Sequence, residues 1–220
     1  MIEMPKTEPL SKSYTAFGGE RRVASGRLED VVLRVKEVLE GGEREPVLVF
    51  DDVTSQQVEV DFRGSRQEVL TRLGCRAGQE EAPFAPDGTP RGPGRPKLGV
   101  VGREVTLLPR HWDWLNSQPG GPSVTLRKLV EEAKRANVGK DRVRAARDAA
   151  YEFMRVMAGD RPGFEEATRI LFSKGKDRLT GLQSLLAHWP DDIREHTLGL
   201  AKLTFELDES LPRATTSTTA

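Results

Sequence analysis

Six cations in the middle of the chain have the spacing to hold a polyanion: Arg91, Arg95, Lys97, Arg103, Arg127 and Lys128. The first three stand close together, separated only by Gly92, Pro93, Gly94 and Pro96. Arg103 opens a short β-prone run, and Arg127 and Lys128 stand near the start of an amphipathic helical pattern. Thr106, Ser123 and Thr125 add hydroxyl groups to the same stretch. The chemistry these groups can do is recognition. Each cation can neutralise a phosphate and release its counterions, and hydroxyls and backbone N–H groups fix the register of contact.

The charge distribution marks the same stretch. Residues 1–90 carry 12 Lys/Arg against 17 Asp/Glu, residues 91–147 carry 13 against 5, and residues 148–220 carry 9 against 12. The chain is therefore neutral overall, yet its middle is +8 between acidic flanks. Such asymmetry selects an anionic partner for the middle segment.

Catalytic chemistry has less to rest on. His111, His188 and His196 are scattered, and none has metal-ligand spacing with a Cys. Cys75 is the single cysteine, so no intrachain disulfide forms, and a reducing cytoplasm is the expected location. Asp51-Asp52 could bind a metal at a strand end, but Asp at such a place more often serves its own turn. No phosphate-cradling glycine loop or nucleophile elbow is present, so no cofactor, metal or catalytic residue is assigned. No apolar run approaches the ~20 residues of a membrane span, and Met1–Leu10 lacks the apolar core of a secretory signal.

The run Arg91-Gly92-Pro93-Gly94-Arg95-Pro96-Lys97 resembles the AT-hook, a minor-groove binding motif. Pro93 and Pro96 bias the backbone to extended forms, and Gly94 permits close approach to a groove floor. The resemblance implies that Arg95 enters a narrow A·T-rich minor groove while Arg91 and Lys97 meet phosphates. AT-hooks usually carry Arg where this chain has Pro93.

Residues 99–135 read as strand, helix, helix. Arg103–Leu108 is β-prone, Pro109 suits the first position of a helix, and Pro119-Gly120-Gly121-Pro122 ends that helix. Ser123 is expected as the N-cap of the next helix, whose apolar face is Leu126, Leu129, Val130 and Ala133. This order resembles the ribbon-helix-helix fold of bacterial repressors. The resemblance implies an obligate dimer, with paired strands in the major groove and the second helix's start on phosphate. Arg103, Thr106, Ser123, Thr125, Arg127 and Lys128 are then DNA contacts. If Val105 and Leu107 face inward, the outward face carries Glu104, Thr106 and Leu108, which departs from the polar or basic face of that family.

The flanks would carry this element. Tyr14–Phe17 and Arg22–Ser25 predict a hairpin, and Leu28–Leu39 has helical apolar spacing. Val47–Phe50 predicts a buried strand, and Val58, Val60 and Phe62 alternate as a half-buried one. Ser65 with Glu68 predicts a capping box for a helix stopped by Gly74. The expected fold class is α+β: a ββαββα domain over 13–77, a Gly/Pro-rich basic linker over 78–98, the strand-helix-helix element over 99–138, and a helical bundle over 139–208. Residues 1–12 and 209–220 are expected as disordered tails.

The whole chain also resembles a bacterial family described only as a domain of unknown function, DUF 2239. The resemblance lies in Thr15–Gly19, Val47–Asp52, Gly94–Val101, Glu104–Trp112, Met157–Gly159 and Pro162–Ala167. It implies no activity. The function expected from the residues is DNA binding, regulatory or accessory, by a cytoplasmic homodimer. A protein-interaction module without nucleic acid, or an enzyme with chemistry no motif reveals, are the alternatives.

Overall fold

A computed structural model describes residues 12–80, 103–175 and 177–211. The described residues are α+β, with one small antiparallel sheet and seven α-helices. In the sheet, β1 (Tyr14–Gly18) lies between β2 (Arg21–Gly26) and β3 (Val47–Asp51), in the order β2-β1-β3. The β1–β2 hairpin turns at Gly19, whose φ of +55° is costly for a residue with a Cβ. Its register shifts at Ala16/Phe17, where Ala16 faces Ala24 but Phe17 faces Arg22, so β2 carries one extra residue.

The sheet is covered on both faces, and the period of two in its strands sorts the layers. Ala16 and Val49 go to one face, where they pack with Val31 and Val35 of α1 (Leu28–Glu40). Phe17 and Phe50 go to the other. There they join Phe153, Met154 and Ala158 of α4 (Gly121–Ala158) and Ile193, Leu200 and Phe205 of a C-terminal helix, α7 (Asp191–Glu209). The rings of Phe17 and Phe50 each lie 5.3 Å from that of Phe153. Burial on both faces is why β3 reads as a continuous apolar run.

This arrangement replaces the independent domain expected over 13–77. Among the described residues, those up to 79 and from 139 onward form one compact unit, and those between 80 and 138 form a second. A 13–77 fragment would leave Phe17 and Phe50, both fully buried, without their partners.

Three local expectations are also corrected. Val58–Phe62 does not form a strand; beyond β3 there is only an isolated bridge between Phe50 and Gln57. Side chains take the backbone partners there instead. The Lys36 ammonium donates to the Phe62 carbonyl at 3.2 Å, and the Arg72 guanidinium donates to the Asp61 carbonyl at 2.9 Å. Gly74 does not stop its helix, because α2 runs Arg66–Glu80; one glycine costs only about 1 kcal/mol in a helix. The two helices expected on either side of residue 139 are one 38-residue helix, α4, with no proline beyond its first turn. The capping box is formed: Glu68 accepts from the Ser65 N–H at 2.7 Å, and Ser65 Oγ accepts from the Glu68 N–H at 3.3 Å.

The remaining bundle follows the expected pattern. It comprises α5 (Phe164–Phe172), α6 (Arg178–Leu185) with a single 3-10 turn at Leu186–His188, and α7. Glu209 ends α7, and a Cβ on Gly139 would come within 2.6 Å of the Leu211 side chain, so residues 209–211 belong to the folded chain. Residues 1–11 and 212–220 lie outside the described residues, as do 81–102, most of the expected linker.

Candidate nucleic-acid interface

The second unit is built from an irregular segment, a short helix and the start of α4. Arg103–Leu108 forms no strand among the described residues and is no part of the β2-β1-β3 sheet. Leu108 keeps an extended backbone (φ −66°, ψ 149°), and its carbonyl accepts the first N–H groups of α3 (Pro109–Ser117), those of His111 at 2.8 Å and Trp112 at 3.2 Å. Pro109 occupies the first turn, as the sequence indicates. At the far end, Ser117 Oγ donates to the Trp114 carbonyl at 2.7 Å and the Gln118 N–H donates to Leu115 at 3.2 Å.

The turn into α4 depends on glycine. Gly120 and Gly121 have φ of +88° and +75°, and a Cβ on Gly120 would stand 3.2 Å from the Val124 side chain. That turn lets α4 begin at Gly121, with Pro122 in its first turn. Ser123 therefore lies inside the helix and is not its N-cap, which corrects the expectation. The first turn of α4 carries no acidic residue.

Of the expected contact residues, Arg103, Thr106, Ser123, Arg127 and Lys128 are exposed and Thr125 is half-buried. Arg91, Arg95 and Lys97 lie outside the described residues. The Arg127 Nε–H donates to the Ser123 carbonyl at 3.0 Å, which lays its side chain back along the first turn of α4. Every ion pair among the described residues lies outside 103–138, for example Arg22–Glu195 at 2.7 Å and Arg178–Asp208 at 2.8 Å. Arg103, Arg110, Arg127, Lys128, Lys134 and Arg135 thus stand exposed with no carboxylate partner among those residues.

The same unit has little interior. Within 103–138 only Leu115 is buried. Val105, Trp114 and Val130 are 53%, 50% and 61% exposed, so Val105 is not taken into the fold of one chain, whereas Leu107 is half-buried. Leu107, His111, Trp114, Leu115, Leu126 and Leu129 line an apolar cleft of about 250 Å³. The sequence already offered Leu126 and Leu129 as an apolar face. That His111 and Trp114 would line a cleft facing them follows from the α3–α4 turn, which has no signal beyond its glycines.

A family model described as an uncharacterized protein conserved in bacteria (DUF2239) matches residues 13–201. The chain belongs to this family. No curated protein and no solved structure matches it significantly. The DUF2239 match runs through both units, so the insertion of 80–138 between the two parts of the larger unit lies within the family's span. The stretches that carry the resemblance in the sequence fall on the fold's supports. Thr15–Gly19 supplies β1 and its turn, and Val47–Asp52 supplies β3. Glu104–Trp112 runs into α3, and Pro162 accepts the Trp189 indole N–H at 3.0 Å. Gly94–Val101 lies outside the described residues. Among the described residues no group of His, Cys, Asp and Glu side chains could hold a metal, and no helix is long and apolar enough to cross a membrane.

Proposed function

We propose that this chain binds DNA through residues 91–135, as a regulatory or accessory protein, and that it does so as a homodimer in the cytoplasm. The observation that carries the reading is the set of exposed cations over 103–138 without carboxylate partners among the described residues, where the other cations are so often paired. Unpaired surface cations can exchange their counterions for phosphates at no cost in broken ion pairs. On this reading Arg127 and Lys128 meet phosphate near the start of α4, with Ser123 and Thr125 beside them, and Arg103 and Thr106 contact DNA from the segment before α3. Arg91, Arg95 and Lys97 act as a minor-groove hook ahead of them. The homodimer is supported by the apolar surface of Val105, Trp114, Leu129 and Val130, which one chain leaves in water.

Binding to mixed and A·T-rich duplexes at several salt concentrations tests this. Five phosphate contacts, from Arg91, Arg95, Lys97, Arg127 and Lys128, give a log–log salt slope of roughly −4 to −5 per protomer. Lys128→Ala should weaken all sequences alike and flatten the slope by about one, whereas Arg95→Ala should weaken A·T-rich duplex most. Absence of binding at low salt removes the DNA reading. It would leave a second one, favoured by the same exposed apolar surface: a protein-interaction module that uses residues 103–138 to hold a different chain.

A further inference from the structure

His196 occupies an unusual place for a titratable group. It lies in α7, with its ring 5.5 Å from that of Phe17 on β1 and 4.4 Å from that of Phe153 on α4. Its Nε2 is shut away from solvent and has no hydrogen-bond partner among the described residues. Asp52 Oδ1, just past β3, and the hydroxyl of Thr197, the next residue along α7, are buried and unpaired in the same sense. A neutral imidazole suits a slot between two phenyl rings, since its faces pack and only one polar atom goes unmet. An imidazolium brings a full charge and a second N–H donor into the same slot, and burial opposes both.

The charges around the ring do not reverse this. Burial is the largest influence and holds the His196 pKa below its ordinary value of 6.5. Asp52 from the end of β3 and Glu195 from α7 favour the cation, whereas Arg22 from β2 opposes it. Arg22 is fixed in that position, because its guanidinium meets Glu195 at 2.7 Å and its backbone N–H donates to Asp192 Oδ2 at 2.7 Å. From α4 comes the Phe153 ring, and no charge on α4 is among those acting on the imidazole.

We propose that the seam between α7 and the sheet is an acid-sensitive contact keyed by His196, whose protonation drives the ring from its slot and loosens α7 from Phe17 and Phe153. The sign follows from linkage. Because the folded-state value lies below the unfolded one, the unfolded chain takes up the proton first as pH falls. The stability held by neutral His196 is complete above about 6.5. It is lost progressively as pH falls from there towards the folded-state value. Within that window the folding equilibrium drops by up to about tenfold per pH unit for this one proton. His111 and His188, in contrast, are exposed.

Urea unfolding of the full chain between pH 7.5 and 5.5 tests the proposal, in wild type, His196→Phe and Asp52→Asn. The wild-type midpoint should fall with pH, and His196→Phe, which fills the slot without a titratable group, should remove that fall. Asp52→Asn should steepen it, because the carboxylate that favours the cation is gone. Parallel pH dependence in wild type and His196→Phe overturns the proposal. Should His196→Phe not fold, the imidazole proton resonances of the wild type decide alone. Titration of His196 well below its ordinary value, with α7 amides broadening as it protonates, supports the proposal. Titration at or above that value, with α7 undisturbed, overturns it.

Discussion

Truncation of Phe153 to Ala tests the shared core most directly. Phe153 is fully buried on α4, yet its ring meets those of Phe17 and Phe50, both on the N-terminal sheet, at 5.3 Å, and that of His196 at 4.4 Å. Removing a buried phenyl ring costs about 3–5 kcal/mol through lost transfer energy and the cavity left behind. The site is lined by three rings from three other elements, which cannot all close in at once, so the upper half of that range is expected. At 1.4 kcal/mol per decade, a loss of about 4 kcal/mol lowers the folding equilibrium nearly a thousandfold. The assay is amide hydrogen exchange resolved by residue, under native conditions. If sheet and bundle fold as one unit, exchange at Ala16 and Val49 in the strands should accelerate by the same factor as at Leu200 and Ala201 in α7. The reasoning is refuted if the strands keep wild-type protection while α7 loses its own, since residues 13–77 would then fold without the helices.

Other outcomes follow from single contacts. Ser65→Ala removes the hydroxyl half of the α2 capping box and should cost about 1 kcal/mol, seen as faster exchange in the first turn of α2 alone. Gly120→Ala places a Cβ at a φ of +88° and 3.2 Å from Val124, so about 1–2 kcal/mol should be lost; α3 amides should exchange faster while those of β1 are unchanged. Trp189→Phe leaves the Pro162 carbonyl without its indole donor and should lower stability by about 1–3 kcal/mol, read from the denaturant midpoint.

Much of the fold was legible because local periodicity and local burial agree. The β1–β2 hairpin, the apolar run of β3, the spacing in α1 and the Ser65–Glu68 pair each stand in the structure as the residues indicate. The errors come from partners distant in sequence. Val58, Val60 and Phe62 alternate like a strand, but Lys36 from α1 and Arg72 from α2 bind that segment's carbonyls. Phe17 and Phe50 were assigned to a small domain because nothing nearby in sequence announces Phe153 as their neighbour. His196 was set aside as one of three scattered histidines. Its spacing was a usable signal, since it falls three residues after Ile193 and four before Leu200, both inner-face positions of α7. In the candidate interface Arg103, Thr106, Ser123, Arg127 and Lys128 are exposed. The start of α4 lies three residues earlier than a Ser123 N-cap implies, because the left-handed glycines allow an earlier turn.

The joining of the first and last parts of the chain also bears on biosynthesis. The backbone N–H of Arg22 ends on Asp192, 170 positions later, and Phe17 and Phe50 are covered only when α4 and α7 exist. A ribosome adding about 5–20 residues per second needs roughly 10–35 s to pass from the first strand to the last helix. Over most of that interval the nascent strands present two phenyl rings and the edges of a nascent sheet to the surrounding medium. Those are the features holdase chaperones bind, so the early strands of this chain should be their clients until α7 has been made.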